Sequence, residues 1–122
     1  MGKFRVFIWI SNITASRVNG TAVYNTAGER LGSIADVVIG KRDGRVKYAI
    51  MSFGGFLGIG DEYHPLPWDM LDYDTSKDGY VVPVSKDQLE GAPRYAANAE
   101  PNWEDESYNR DIYAYYDRPY LL

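Results

Sequence analysis

His64 is the only histidine of the chain, and it stands between Tyr63 and Pro65. A lone imidazole can act as a general base, but a histidine-rich metal site needs partners that this sequence does not supply. A Ser-His-Asp set is formally available. No Gly-x-Ser-x-Gly elbow or other nucleophile context surrounds any serine, however. Cysteine is absent, which removes disulfides, thiolate nucleophiles and cysteine-held zinc. His64 therefore reads as structural, in a strand or at its edge.

Two further runs invite a chemical reading. Asp74-Thr75-Ser76-Lys77-Asp78-Gly79 imitates the first half of a calcium loop, with glycine at the sixth place and Val81 at the eighth. The twelfth place is Ser85 where a bidentate glutamate belongs, and β-type sequence flanks the run. It reads as an acidic hairpin. The glycine-rich run Gly54-Gly55-Phe56-Leu57-Gly58-Ile59-Gly60 lacks the Gly-Lys-Ser/Thr ending of a phosphate loop, and it places apolar side chains where phosphate would need donors. No catalytic, cofactor-binding or metal-binding residue is assigned, and the chain is not expected to be an enzyme.

The 122 residues fit one domain able to bury roughly two-thirds of its unfolded surface. Charge is unevenly spread. Residues 1–60 hold eight basic and three acidic side chains, and residues 61–122 hold five and fourteen, for a net charge of −4. Such a balance makes nucleic acid an unfavoured partner. The cluster Lys41, Arg42, Arg45 and Lys47 can form a local basic face, but it flanks a turn and reads first as a solvated hairpin. Nothing approaches the roughly 20 apolar residues of a membrane span. Lys3 and Arg5 ahead of Val6-Phe7-Ile8-Trp9-Ile10 have the polarity of a signal peptide, but the apolar run is too short and no small-x-small cleavage site follows. The segment reads as a strand or a docking piece of a cytoplasmic protein.

The elements that must carry these residues are mostly strands. Turn signals recur at Asn19-Gly20, Asn25 to Gly28, Asp43-Gly44, Gly54-Gly55, Gly58 to Gly60 and Asp78-Gly79. Their spacing predicts short strands over 21–24, 32–39, 45–53, 62–66, 70–74 and 80–84. Asp43-Gly44 and Asp78-Gly79 predict tight hairpins in which glycine supplies positive φ. In strand 45–53, Val46, Tyr48 and Ile50 share one face, and Lys47, Ala49, Met51 and Phe53 share the other. A strand apolar on both faces at one end needs cover there. That cover comes either from a neighbouring chain or from the C-terminal segment.

Ser85-Lys86-Asp87-Gln88 is a capping box and predicts a short helix over 86–90, ended by Gly91 and Pro93. A linker follows over 91–101. Asn102 then caps a predicted helix of about fourteen residues, with Glu104, Asp105 and Glu106 in its first turn. Tyr108, Ile112, Tyr115 and Tyr116 form one apolar stripe along it. So short a helix is marginal alone in water, so the stripe should dock on the barrel or on a second subunit.

The motifs Gly20-Thr21-Ala22-Val23-Tyr24-Asn25, Gly28-Glu29-Arg30-Leu31-Gly32-Ser33-Ile34 and Asp43-Gly44-Arg45-Val46-Lys47-Tyr48-Ala49 follow one another in order. Phe53 to Gly60, Tyr63-His64-Pro65-Leu66-Pro67-Trp68 and Gln88-Leu89-Glu90-Gly91-Ala92-Pro93 continue the series. Together they resemble the PRC-barrel family over roughly residues 16 to 93. The family includes the cytoplasmic part of the photosynthetic reaction-centre H subunit and a domain of the ribosome maturation factor. The resemblance implies a mainly β fold: a small barrel of about six short strands, often bacterial, serving assembly or adaptor roles. A short helix and an extra C-terminal helix complete it. The H subunit's membrane helix and the maturation factor's second β domain have no counterpart here, so quinone-linked proton delivery is not carried over.

The expected division is an N-terminal extension over 1–15, read as a strand, the barrel over 16–93, and a linker with an amphipathic helix over 94–122. The expected function is a non-enzymatic protein-interaction module that self-associates as a homodimer or larger, with an unidentified protein partner as well. An RNA- or ribosome-associated factor is the alternative. Candidate interface residues are Phe7 and Trp9, then Phe53, Phe56, Leu57 and Ile59, then Tyr108, Ile112, Tyr115 and Tyr116. Apolar side chains on the glycine-rich run cost roughly 1.5–3 kcal/mol each if left in water. They plug the barrel mouth, meet a partner or line a ligand pocket.

Overall fold

The computed structural model describes residues 12–53 and 62–120. One helical turn, α1 (Ala15–Val18), leads into β1 (Ala22–Asn25), β2 (Arg30–Ile39), β3 (Val46–Phe53) and β4 (Glu62–Pro67). A 3₁₀ turn at Trp68–Met70 precedes β5 (Asp72–Asp74) and β6 (Gly79–Val82). Then come α2 (Lys86–Glu90), β7 (Tyr95–Ala96) and α3 (Glu106–Tyr115). The seven strands form one sheet in the order β5-β6-β1-β2-β3-β4-β7. Every pairing is antiparallel except β1 with β6, which run parallel. Among the described residues the ladder is open, with β5 and β7 at its edges.

The six expected strands are all present, within a few residues of their expected ends. The seventh, β7, falls inside the expected linker. Two residues after a proline carry no alternation, so only its pairing with Glu62 and Tyr63 identifies it. The C-terminal helix differs more. Asn102 does not cap it. Its Oδ1 accepts from the Glu104 amide at 3.0 Å, closing a turn, and Asp105 is the cap, accepting from Ser107 and Tyr108. The helix is ten residues long because Asp105 offers its carboxylate one turn later. Residues 12–14 are irregular and α1 begins at Ala15, so the end of the expected N-terminal strand is not extended sheet. The rest of that extension lies outside the described residues.

The capping box at α2 forms as the sequence requires. Ser85 Oγ accepts from the Gln88 amide at 3.1 Å, and Gln88 Oε1 accepts from the Ser85 amide at 3.0 Å. The turns also follow the glycines, with one exception. Gly44 has φ +69° as expected, but at the second hairpin Asp78 takes the left-handed conformation, at φ 51°. Gly79 is small for another reason. A Cβ there would press on the Ala22 carbonyl oxygen across the parallel β1–β6 pair.

A bulge in β2 between Ile34 and Asp36 divides the sheet's two faces. Ile34, Met51 and Leu66 point inward with Val23, Val82 and Leu89, and each is essentially solvent-free. Asp36, Ile50 and Pro65 lie on the opposite, outer face. Gly32 tightens the inner curve, because a Cβ at this position would strike the backbone carbonyl of Ser52 on β3. Backbone cannot yield as a side-chain tip can. Gly32→Ala should therefore cost about 1–3 kcal/mol by overcrowding. Urea unfolding checks this, and an unchanged midpoint would show that the β2–β3 ladder can relax.

Candidate functional site: the capped outer face of the sheet

Tyr48, Ala49, Ile50 and Met51 are buried in succession, so β3 is dry on both faces at its centre. The inner face is covered by the curl of the sheet. The outer face is covered by the chain's own C-terminal segment, which resolves the two covers open from sequence. Tyr48 donates its hydroxyl to Asn109 Oδ1 on α3 at 2.6 Å, and Asn109 Nδ2 donates to the Trp103 carbonyl at 3.0 Å. All three polar groups are thus paired inside an apolar layer, the condition for burying them cheaply. The Tyr48 ring meets Trp103 at 5.6 Å and Tyr113 at 5.8 Å between centroids. Trp103 in turn meets Tyr95 and Tyr108 at 5.7 and 6.1 Å. Burial, reinforced by the neighbouring tyrosines, raises the Tyr48 hydroxyl far above its usual pKa, so it remains a donor.

Beside this aromatic layer the seam between β2, β4, β7 and the tail leaves a half-open hollow of about 250 Å³. It is lined by buried Ile50 and by half-buried Tyr63 and Tyr95 on one side, with Asp36 and Glu100 at its rim. The two tyrosine rings meet edge-to-face at 5.7 Å. Both rim carboxylates are solvent-exposed. Burial and then the negative charge of Glu100, with a smaller part from Asp36, raise the Tyr95 hydroxyl well above its ordinary value. Arg94, next in sequence to Tyr95, is held by Glu62 at 2.5 Å. A second charged feature lies at the β2–β3 turn, where Asp43 binds Lys47 at 2.7 Å while Lys41, Arg42 and Arg45 are exposed.

His64 lies next to Tyr63 on β4 but on the inner face, almost fully buried and edge-on to Phe53 at 5.5 Å. Its Nδ1 has no hydrogen-bond partner. Burial, and secondarily the positive charge of Arg94, outweighs the pull of Glu62 and lowers its pKa to about 4. A neutral imidazole without access to solvent is a packing element. Asp74 likewise spends one oxygen on Ser76, accepting from its amide at 2.9 Å and its hydroxyl at 2.6 Å. Among the described residues no three acidic or histidine side chains converge on a point. Tyr73 donates to Asp78 across the same hairpin, and this hydrogen bond, followed by burial, pushes its hydroxyl up to about 12.

The interface residues expected from sequence fall in different places. Phe53 is half-buried against His64. Ile112 is wholly buried and Tyr116 nearly so, both in the chain's own core, and Tyr108 packs half-buried on Trp103. Tyr115 stays 38% exposed and donates its hydroxyl to the Gln88 carbonyl. Phe7, Trp9, Phe56, Leu57 and Ile59 lie outside the described residues. Sequence reasoning missed Asn109, Trp103, Tyr95, Asp36 and Glu100. Their one legible signal was the alternation that sets Tyr48 and Ile50 on a face needing cover.

Taken together these features define a small β module with a curled seven-stranded sheet, one helical cap and a polar hollow at the seam. The PRC-barrel domain model matches residues 11–89, and the chain belongs to the PRC-barrel family. No curated protein matches the chain. The family match ends within α2, so β7, Trp103 and α3, which cover the outer face, all lie beyond it. Among the described residues no helix is long and apolar enough to cross a membrane.

Two measurements test this account. Tyr48→Phe leaves Asn109 Oδ1 buried without its donor, and should cost about 1–3 kcal/mol in denaturant unfolding. A cost near zero would mean that water reaches Asn109. His64 is neutral in the folded state with a pKa below its unfolded value of about 6.5. Its contribution is therefore complete above pH 6.5 and is lost as pH falls toward 4, about 2–3 kcal/mol by pH 4.5. His64→Gln should flatten the stability profile across that window. The lowered carboxylates of Glu29, Asp43 and Asp74 act only at still lower pH.

Proposed function

We propose that the chain is a non-enzymatic protein-interaction module of PRC-barrel type that works by self-association. The PRC-barrel family is not a known enzyme family. The observation that carries the reading is the segregation of exposed charge. Lys41, Arg42 and Arg45 crowd one turn without an ion pair among the described residues, whereas the tail over 100–111 holds Glu100, Glu104, Asp105, Glu106 and Asp111 against a single Arg110 bound to Glu106. A surface positive at one place and negative at another is complementary to a copy of itself. Ile39, 46% exposed at the base of the same turn, adds an apolar contact.

The docking of α3 removes Ile112 and Tyr116 from the surface offered to a partner in this conformation. The proposed interface therefore moves to the β2–β3 turn and the tail's outer side. An RNA partner is supported by the same three cations, but it would approach a chain of net charge −4, which counts against it. Sedimentation equilibrium at moderate salt should give twice the 13.8 kDa of the chain, falling toward the monomer as salt rises. A monomer at every salt and concentration would end the reading. Salt-sensitive RNA binding by that monomer would put the alternative in its place.

A further inference from the structure

Resting on that self-association, we infer that the hollow beside the Tyr63–Tyr95 ring pair receives the Arg42 guanidinium of a second copy of this chain. The hollow is built for a planar organic cation. Two tyrosine rings in mutual edge-to-face contact offer one aromatic side, buried Ile50 an apolar base, and two exposed carboxylates stand at its rim. A guanidinium stacks on aromatic faces and forks toward carboxylates, which an ammonium does less well. A volume of about 250 Å³ admits the head and part of the stem of one arginine. Within the described chain no cation serves the site. Asp36 and Glu100 carry no ion pair, and neighbouring Arg94 is engaged by Glu62.

The occupant is on the same hairpin. Asp36 lies on the outer face of β2, and Arg42 stands at the turn that follows the end of that strand at Ile39. Because hollow and occupant are separate patches of the same chain, a two-fold axis between two copies satisfies both at once. The turn of each copy enters the seam of the other, and the assembly closes as a dimer. Asp43 is turned back onto Lys47 and the Arg45 amide, which leaves the tip of the turn positive. Ile39 lies between turn and hollow, where the two-fold would bring it against its own counterpart.

The test is a charge swap read by sedimentation. Arg42→Glu, and separately the double variant Asp36→Lys with Glu100→Lys, should each weaken the dimer at least about tenfold. Each variant sets like charges together at both contacts. Mixing the two should restore association to within about threefold of the original, because both contacts of the mixed dimer then join opposite charges. All three positions are exposed, and Arg42→Gln with Asp36→Asn and Glu100→Gln supplies a milder set should a reversal lower the melting temperature. A dimer indifferent to these changes overturns the arginine contact and leaves self-association standing. Loss on the turn side alone, without rescue on mixing, overturns the hollow as its receptor. A wild-type monomer removes both this contact and the self-association beneath it.

Discussion

The centre of β3 must be kept dry on two sides at once, and the hydrogen bond from Tyr48 to Asn109 is how the outer side is closed. A half-curled sheet of short strands can shield only its concave face. Ala49 and Met51 are served by that curl. Tyr48 is served by Trp103, Asn109 and Tyr113, which arrive from the far end of the chain. The tail in turn needs the sheet, because a ten-residue helix has little stability of its own in water. Asn109 joins the two by satisfying Tyr48 on one side and the Trp103 carbonyl on the other. Each half of this arrangement is unstable without its counterpart.

The same economy explains why the outer layer is aromatic rather than aliphatic. Rings approaching edge-to-face fill a shallow seam with few side chains, and their hydroxyls reach polar partners at its margin. Tyr115 finds the Gln88 carbonyl and Tyr48 finds Asn109. Tyr108 and Tyr116 have buried hydroxyls without partners, as does Nδ1 of His64. The layer therefore carries a desolvation cost that its packing area offsets. Where the rings end, at Tyr63 and Tyr95, the cover is incomplete and the hollow opens beside two carboxylates.

The PRC-barrel match stops before the residues that close the outer face, which divides the chain into a shared framework and an addition of its own. The framework contributes β1 to β6 and α2. The addition contributes β7, Trp103 and α3, and with seven acidic against three basic side chains it carries the chain's negative excess. The exposed cations of the framework's β2–β3 turn and the acidic excess of the addition are set apart by that division. The proposed self-association draws on that separation of charge.

Much of this was written locally. Alternation over 45–53 marked a strand with two dry faces, Ser85-Lys86-Asp87-Gln88 fixed α2 to the residue, and Gly44 announced the turn that follows β2. Such features depend on neighbours a few positions apart, so a one-dimensional reading finds them. Ranges without that local support were read less well. Asn102 and Asp105 are equally good caps in isolation, and only the docked position of the helix favours the second. Gly79 reads as a turn glycine until the parallel β1 strand is seen pressing on it. That β3 is covered by residues some 60 positions away, that Asp36 and Glu100 share a rim, and that Ile112 and Tyr116 face inward while Tyr115 does not were settled by tertiary structure alone. Burial is a property of surfaces brought together, and nothing in the order of residues measures which apolar face will reach which.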